Sequence, residues 1–150
     1  MFTRILMVCT GNICRSPMAE VLFAHRLRER GFSATVESAG IAALVGKPAE
    51  QHAQDLMRDR GLDLSGHRAR QLTLDLLRQF DLVLVMEARQ QKAVEALWPG
   101  ARGRVHPIGK MGKFDVPDPY RQDRAAFERA LAFIERGLDD FEKAFWSPRP

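Results

Sequence analysis

The sequence predicts an α/β fold in which a four-stranded, parallel, twisted sheet carries helices on both faces, doubly wound, with a phosphate loop after the first strand. Three observations lead there. The uninterrupted apolar runs Ile5-Leu6-Met7-Val8 and Leu82-Val83-Leu84-Val85-Met86 have the character of parallel strands buried on both faces. Segments of helical periodicity alternate with the apolar runs, as in crossover-connected parallel strands. The first run also leads into Cys9-Thr10-Gly11-Asn12-Ile13-Cys14-Arg15-Ser16-Pro17, which reads as strand end, anion-holding loop and helix start. The carboxyl end of a strand near a topological switch point is where such sheets bind ligands.

Taken in order, Ile5 to Val8 form the first strand. Ser16 is a favoured N-cap and Pro17 suits the first helical position, so a helix is expected from Pro17 to Arg30, packing through Met18, Val21, Leu22 and Leu27 and stopped at Gly31. Thr35-Val36-Glu37-Ser38 is a short second strand, and Gly40 to Lys47 a flexible loop. Ala49, Ala53, Leu56 and Met57 mark one face of a second helix that ends at Gly61. Thr73 caps a brief helix reaching Phe80. The third strand, Leu82 to Met86, is followed by a helix from Ala88 to Trp98 that Pro99-Gly100 ends. Arg104 to Ile108 make a fourth strand, on an edge because of Pro107. Residues 109 to 122 are the longest irregular stretch. From Asp123 to Trp146, Phe127, Leu131, Ile134, Leu138, Phe141 and Phe145 recur at three- and four-residue steps, the signature of a long amphipathic helix. Together the elements make one domain, 1–150, doubly wound in the flavodoxin-like manner, with Ser147 to Pro150 expected to fray.

Composition narrows the function. A 150-residue chain buries about 70% of its unfolded surface without staples. The two cysteines lie five residues apart inside one loop, which argues against a structural bridge and suits a reducing compartment. No apolar run is long enough for a signal peptide or a membrane span, so a cytoplasmic protein without membrane insertion is expected. The net charge of +4 and pI near 9.5 come from basic residues scattered among acids, with no aromatic-rich basic stretch. No nucleic acid partner is implied. No His, Cys, Asp and Glu cluster has metal-ligand spacing, and neither metal nor cofactor is expected.

The loop carries the chemistry. Gly11 permits an unusual φ, and Asn12 is among the few residues that tolerate the left-handed region, so the amides of Thr10, Gly11, Asn12, Ile13, Cys14, Arg15 and Ser16 can converge on one anion. The reactive form of cysteine is the thiolate, which helix N-termini and nearby cations favour. One helix dipole supplies about 0.3–2 kcal/mol, so the loop amides, the Ser16 hydroxyl and the Arg15 charge must supply the rest for Cys9. The planar fork of Arg15 suits two phosphoryl oxygens at once. Cys9 is thus a candidate nucleophile toward phosphorus. The leaving oxygen of a phosphoester calls for an acid, and the irregular stretch offers Asp115 and Asp118 without separating them.

At these residues the chain resembles the low-molecular-weight protein tyrosine phosphatases, whose loop is C-x5-R-S after the first strand. The resemblance extends over Glu37-Ser38-Ala39-Gly40, Gly66-His67-Arg68-Ala69-Arg70-Gln71, Met86-Glu87 and Pro117-Asp118-Pro119-Tyr120-Arg121. It implies a metal-independent phosphoric monoester hydrolase acting through a cysteinyl-phosphate, with Cys9, Arg15 and Asp118 catalytic. It selects Asp118 because the family's acid stands in Asp-Pro. Asn12, Ser16, Ser38 and His67 match a supporting hydrogen-bond network, and Leu44 and Tyr120 match the walls of a slot deep enough for phosphotyrosine. The resemblance also suggests a reversible Cys9–Cys14 disulfide. Ala43-Leu44-Val45-Gly46-Lys47 and Asp118-Pro119-Tyr120-Arg121 look most like the bacterial subgroup that works beside tyrosine autokinases of capsule or exopolysaccharide export. A phosphotyrosyl protein, such as an autokinase, is therefore the expected partner of a monomer. Two alternatives are an arsenate reductase on the same scaffold and a phosphotyrosine-binding module without turnover. The former needs further cysteines downstream, and none follows Cys14.

Overall fold

The computed structural model describes residues 2–146. Four parallel strands, β1 (Arg4–Cys9), β2 (Thr35–Gly40), β3 (Leu82–Val85) and β4 (Val105–Pro107), lie in the order β2-β1-β3-β4. The chain leaves β1 toward one neighbour and returns on its other side to β3, so the switch point of the sheet falls at the end of β1. Cys9 pairs with Gly40 across β2, and Val8 with Val85 across β3. The weakest strand, β4, is at the edge, and Pro107 ends it there. The tail from Ser147 to Pro150 lies outside the described residues.

The sheet is covered on both faces. Alternate residues of a strand point to opposite sides, so Ile5, Met7 and Cys9 join a core with α1 (Arg15–Glu29), α2 (Gln51–Asp59) and α5 (Arg124–Phe145). Leu6, Val8, Val83 and Val85 join the second core, which takes in Leu77 of α3 (Leu74–Leu77) and Val94 of α4 (Ala88–Leu97). The helical stripes expected from spacing are buried: Ala53, Leu56 and Met57 in α2, and Phe127, Leu131, Ile134, Leu138 and Phe141 in α5. Ala49 is buried too, but it precedes α2. Phe145 departs from the stripe at 43% exposure, resting edge-on against Phe2, while Trp146 fills the core against Phe23.

Most local stops and starts agree with the sequence signals. Thr73 caps α3 by accepting the Leu76 amide, though the helix ends at Leu77 rather than Phe80. Asp123 caps α5 by accepting the Ala126 amide. Gly31 and Gly61 take positive φ just past α1 and α2, where a side chain would be strained. Two expectations are corrected. The first helix begins at Arg15, not Pro17, and Ser16 is no N-cap: it lies inside the first turn, with its hydroxyl turned into the loop. Gly11 does not use positive φ, whereas Asn12 does, at 60°.

Gly40 is the glycine that the loop depends on. A Cβ there would sit 2.5 Å from the Thr10 carbonyl oxygen, and Asn12 Cβ is also close. Beyond Gly40 the expected flexible loop is tied to the phosphate loop: Ile41 N–H donates to Cys9 O, Ala42 N–H to Thr10 O and Leu44 N–H to Gly11 O. The β1–β2 pairing thus continues past the ends of the strands. Gly40→Ala must push back backbone rather than a side-chain tip. It is expected to cost about 1–3 kcal/mol, read as a lowered midpoint in urea denaturation.

Candidate active site

The loop from Cys9 to Ser16 forms the floor of a cavity of about 170 Å³. Cys9, Gly11, Ile13 and Arg15 line it from below, Leu44 and Tyr120 stand at its sides, and Asp118 reaches it from the irregular stretch. The walls are apolar and open to solvent, with Leu44 41% and Tyr120 38% exposed. Floor and walls come from different parts of the chain. The β1–α1 turn gives the first, and the segments after β2 and before α5 give the second.

The hydrogen bonds under the floor fix where protons lie. Arg70 N–H donates to Asn12 Oδ1 at 2.9 Å, so the other end of this side chain is its NH₂ group. That group donates to Ser16 Oγ at 2.8 Å and to Ser38 Oγ at 2.9 Å. Each hydroxyl accepts from Asn12 and has its own proton left to give. Ser38 gives it to Glu20 Oε1, and Ser16 Oγ and Cys9 Sγ share a hydrogen bond, 2.9 Å apart. The Asn12 amide also donates to Cys9 Sγ at 3.3 Å. Because the Asn12 carbonyl can only accept, His67 Nε2, 2.7 Å from it, carries a proton. Asn12, Ser16, Ser38 and His67 therefore meet in one network, and its members are buried except His67. The sulfur is thus in contact with both Ser16 Oγ and the Asn12 amide.

Arg15 is 1% exposed, and its charge is balanced from two sides. Nη1 donates to Glu87 Oε2 at 3.1 Å and to Val116 O at 2.8 Å, while Nη2 lies 3.8 Å from Asp118 Oδ2. Nε and Nη2 make no hydrogen bond among the described residues. Burial alone would raise the Glu87 carboxyl. The Arg15 charge and the hydrogen bonds from Arg89 and Arg15 outweigh it, holding the group below the usual carboxylate range. Asp118 keeps a half-open position, its side chain 46% exposed, with Oδ1 accepting the Tyr120 amide at 3.1 Å. Asp115 is used elsewhere, accepting the first amide of α4 from Ala88 at 3.0 Å. The two aspartates that sequence leaves together are thus separated by position.

Sequence reasoning misses three supporting residues. Glu87 anchors Arg15. Gln90, 1% exposed, accepts the Met86 and Glu87 amides and donates to Glu87 Oε2 and Thr10 Oγ1, joining the α4 start to the loop. Glu20 ends the Asn12 network one turn into α1. The available signal for Glu87 is its place just past the carboxyl end of a buried strand, on the ligand-binding side of a parallel sheet. Glu20 and Gln90 give none, because a polar residue on a helix ordinarily faces water.

At and beside the loop, two pKa shifts arise from burial. Desolvation, then the charges of Cys9, Glu50 and Asp118, push the Cys14 thiol far up against the pull of Arg15, so Cys14 stays protonated at neutral pH, and the two cysteines are not joined in a disulfide. Desolvation also pushes the Glu20 carboxyl above its ordinary 4.5, although Ser38, His67 and Arg70 oppose it. A carboxyl raised on folding stabilises fully below its unfolded value and loses that contribution as pH rises through the folded one. Stability should therefore decline from about pH 4.5 upward through this group. In Glu20→Gln, which keeps an acceptor for Ser38, urea midpoints measured between pH 4 and 8 should show a flatter decline.

Among the described residues no group of His, Cys, Asp and Glu is placed to hold a metal ion, and no helix is long and apolar enough to cross a membrane.

The chain has close relatives. Residues 4–146 match the model of the low molecular weight phosphotyrosine protein phosphatases. A probable low molecular weight protein-tyrosine-phosphatase, EpsP, of Ralstonia solanacearum is 47% identical over 149 residues, covering 99% of this chain and 97% of the relative. Wzb of Vibrio vulnificus, solved in complex with benzylphosphonate, is 40% identical with a TM-score of 0.90, covering 97% of this chain and all of that one. A mutant of the YwlE arginine phosphatase with a phosphorylated active-site serine is 29% identical with a TM-score of 0.90 over 98% of each chain. An oxyanion-sized hollow above a cysteine, at the switch point of a 2-1-3-4 sheet, and a family match over nearly every described residue agree: the chain belongs to the low molecular weight phosphotyrosine protein phosphatases.

Proposed function

We propose that the protein hydrolyses phosphotyrosine in proteins through a cysteinyl-phosphate. The observation that carries this reading is the convergence of Cys9 Sγ, the Arg15 guanidinium and the Asp118 carboxyl on one cavity with apolar walls. In the first step the Cys9 thiolate attacks phosphorus in line, the bond to the phenolic oxygen breaks, and Asp118 gives that oxygen its proton. Loop amides with Nε and Nη2 of Arg15 hold the three equatorial oxygens, over which the charge of the transferred phosphoryl group is spread in the transition state. In the second step the ionised Asp118 takes a proton from water, the water oxygen attacks phosphorus, and the sulfur leaves as thiolate. The Ser16 hydroxyl proton, aimed at Sγ, stabilises that departure.

Leu44 and Tyr120 support an aryl ester over a shorter alkyl one. A ring holds phosphorus farther from the substrate backbone than a serine side chain does, so raised walls admit the first and exclude the second. The substrate is further proposed to be a tyrosine autokinase of exopolysaccharide or capsule export, as the resemblance of Ala43–Lys47 and Asp118–Arg121 implies, met by a monomeric enzyme in the cytoplasm.

The test is hydrolysis of p-nitrophenyl phosphate and of matched phosphotyrosyl, phosphoseryl and phosphoarginyl peptides in the presence of a chelator. The expected order places phosphotyrosine first by at least about 100-fold in kcat/KM. Faster release of phosphate from either of the other peptides would overturn the assignment.

A further inference from the structure

The turn that carries the acid also carries a charge that the chemistry does not use. Residues 118–122 are held by three hydrogen bonds, from Tyr120 N–H to Asp118 Oδ1 at 3.1 Å, from Gln122 N–H to Pro119 O at 2.9 Å and from Gln122 Nε2 to Asp118 O at 2.9 Å. Inside it Arg121 has φ 62°, in the left-handed region that a long side chain rarely adopts. Its guanidinium carbon lies 5.2 Å from the centre of the Tyr120 ring, the ring that walls the cavity. The residue is exposed, and among the described residues it pairs with no carboxylate. Arg15 and Arg89 are ion-paired with Glu87, and Arg70 with Glu37. The two nearest acids along the chain are engaged elsewhere: Asp123 accepts the Ala126 amide at the start of α5, and Asp118 faces Arg15 and accepts the Tyr120 amide.

A guanidinium resting on an aromatic face keeps its N–H edges for a second partner, and its planar fork fits a carboxylate or a phosphate. The position fixes where that partner comes from. A phosphotyrosyl side chain seated in the cavity passes Tyr120 on its way in, so its own backbone and near neighbours cross the rim where Arg121 stands. We propose that Arg121 is a specificity-determining residue that receives an oxyanionic group, a carboxylate or a second phosphate, flanking the phosphotyrosine of the substrate. The proposal rests on the phosphotyrosine reading above and extends it from the phosphate to the surrounding peptide.

The test uses a neutral phosphotyrosyl parent peptide, a set with one glutamate scanned from three residues before to three after the phosphotyrosine, the corresponding doubly phosphorylated peptides, and p-nitrophenyl phosphate as the flank-less reference. Wild type, Arg121→Gly and Arg121→Lys are compared by the ratio of kcat/KM for each anionic peptide to that for the parent. Glycine removes the charge and fits the positive φ better than arginine does, so a lost preference cannot be blamed on backbone strain. Wild type should favour at least one anionic position by about fivefold, mainly through KM, and about 0.5 M salt should shrink the ratio. Arg121→Gly should bring it to about 1, and Arg121→Lys should restore part of it. The larger of the glutamate and phosphate ratios identifies the source of the anion. Equal ratios in wild type and Arg121→Gly, or no anionic preference in wild type while parent and reference are both hydrolysed, would overturn the role of Arg121 alone. Failure of wild type on every ester would overturn the phosphotyrosine reading itself.

Discussion

Cys9→Ser is expected to release phosphate from a phosphotyrosyl peptide at least about 10³-fold more slowly than wild type, yet to bind inorganic phosphate at least as tightly. The two halves of this prediction have one cause. Serine fits the same space and keeps Ser16 and the Asn12 amide as partners, but an alcohol is a far weaker nucleophile than the thiolate the proposed mechanism requires. The floor then loses its nucleophile and with it a negative charge directly beneath the ligand's own. Single-turnover kinetics with isothermal titration of phosphate measures both. Phosphate release at wild-type rates would remove Cys9 from the chemistry. Weakened binding with lost turnover would instead indicate a collapsed loop.

The next largest effect is expected at Asp118. Asp118→Ala should lower kcat for a phosphotyrosyl peptide by about 10²–10³-fold, the range for a positioned acid, with little change in KM. The same change should cost far less on an ester whose phenol leaves readily, such as p-nitrophenyl phosphate, because that oxygen needs no proton to depart. A plot of log kcat against the acidity of the leaving phenol should thus be steeper for the variant than for wild type. Parallel plots would mean that Asp118 acts through the Arg15 charge, 3.8 Å away, and not through a proton. Asp115→Ala serves as the comparison, since its carboxylate is engaged at the start of α4.

The fold is readable in the chain because its two central strands are apolar without interruption and its helices carry regular stripes. The floor of the site is readable for a different reason: Cys9 to Ser16 are contiguous, so their joint meaning survives without knowledge of tertiary contacts. The failures show where local rules yield. Ser-Pro is a strong helix-start signal, yet the Ser16 hydroxyl is drawn under the loop by Asn12 and Cys9, and the helix begins one residue before it. Glu87, Gln90 and Glu20 reach the site from the end of β3, from α4 and from the second turn of α1, and only the assembled sheet brings them to Arg15, Thr10 and Ser38. Asp115 precedes Val116 and Asp118 precedes Pro119, and their immediate neighbours say little more. Their separate destinations are set by the path of the chain between β4 and α5.

The two sides of the rim differ in what they carry: the stretch around Leu44 holds none of the groups proposed to react, whereas Tyr120 and Arg121 share a turn with Asp118. Exchanging the first for that of a relative should alter which esters gain entry and leave the bond-breaking groups where they are, while exchanging the second would displace the acid as well. The scaffold is in this sense modular on one side only, with one door that can be swapped and one that is built into the wall of the reaction chamber.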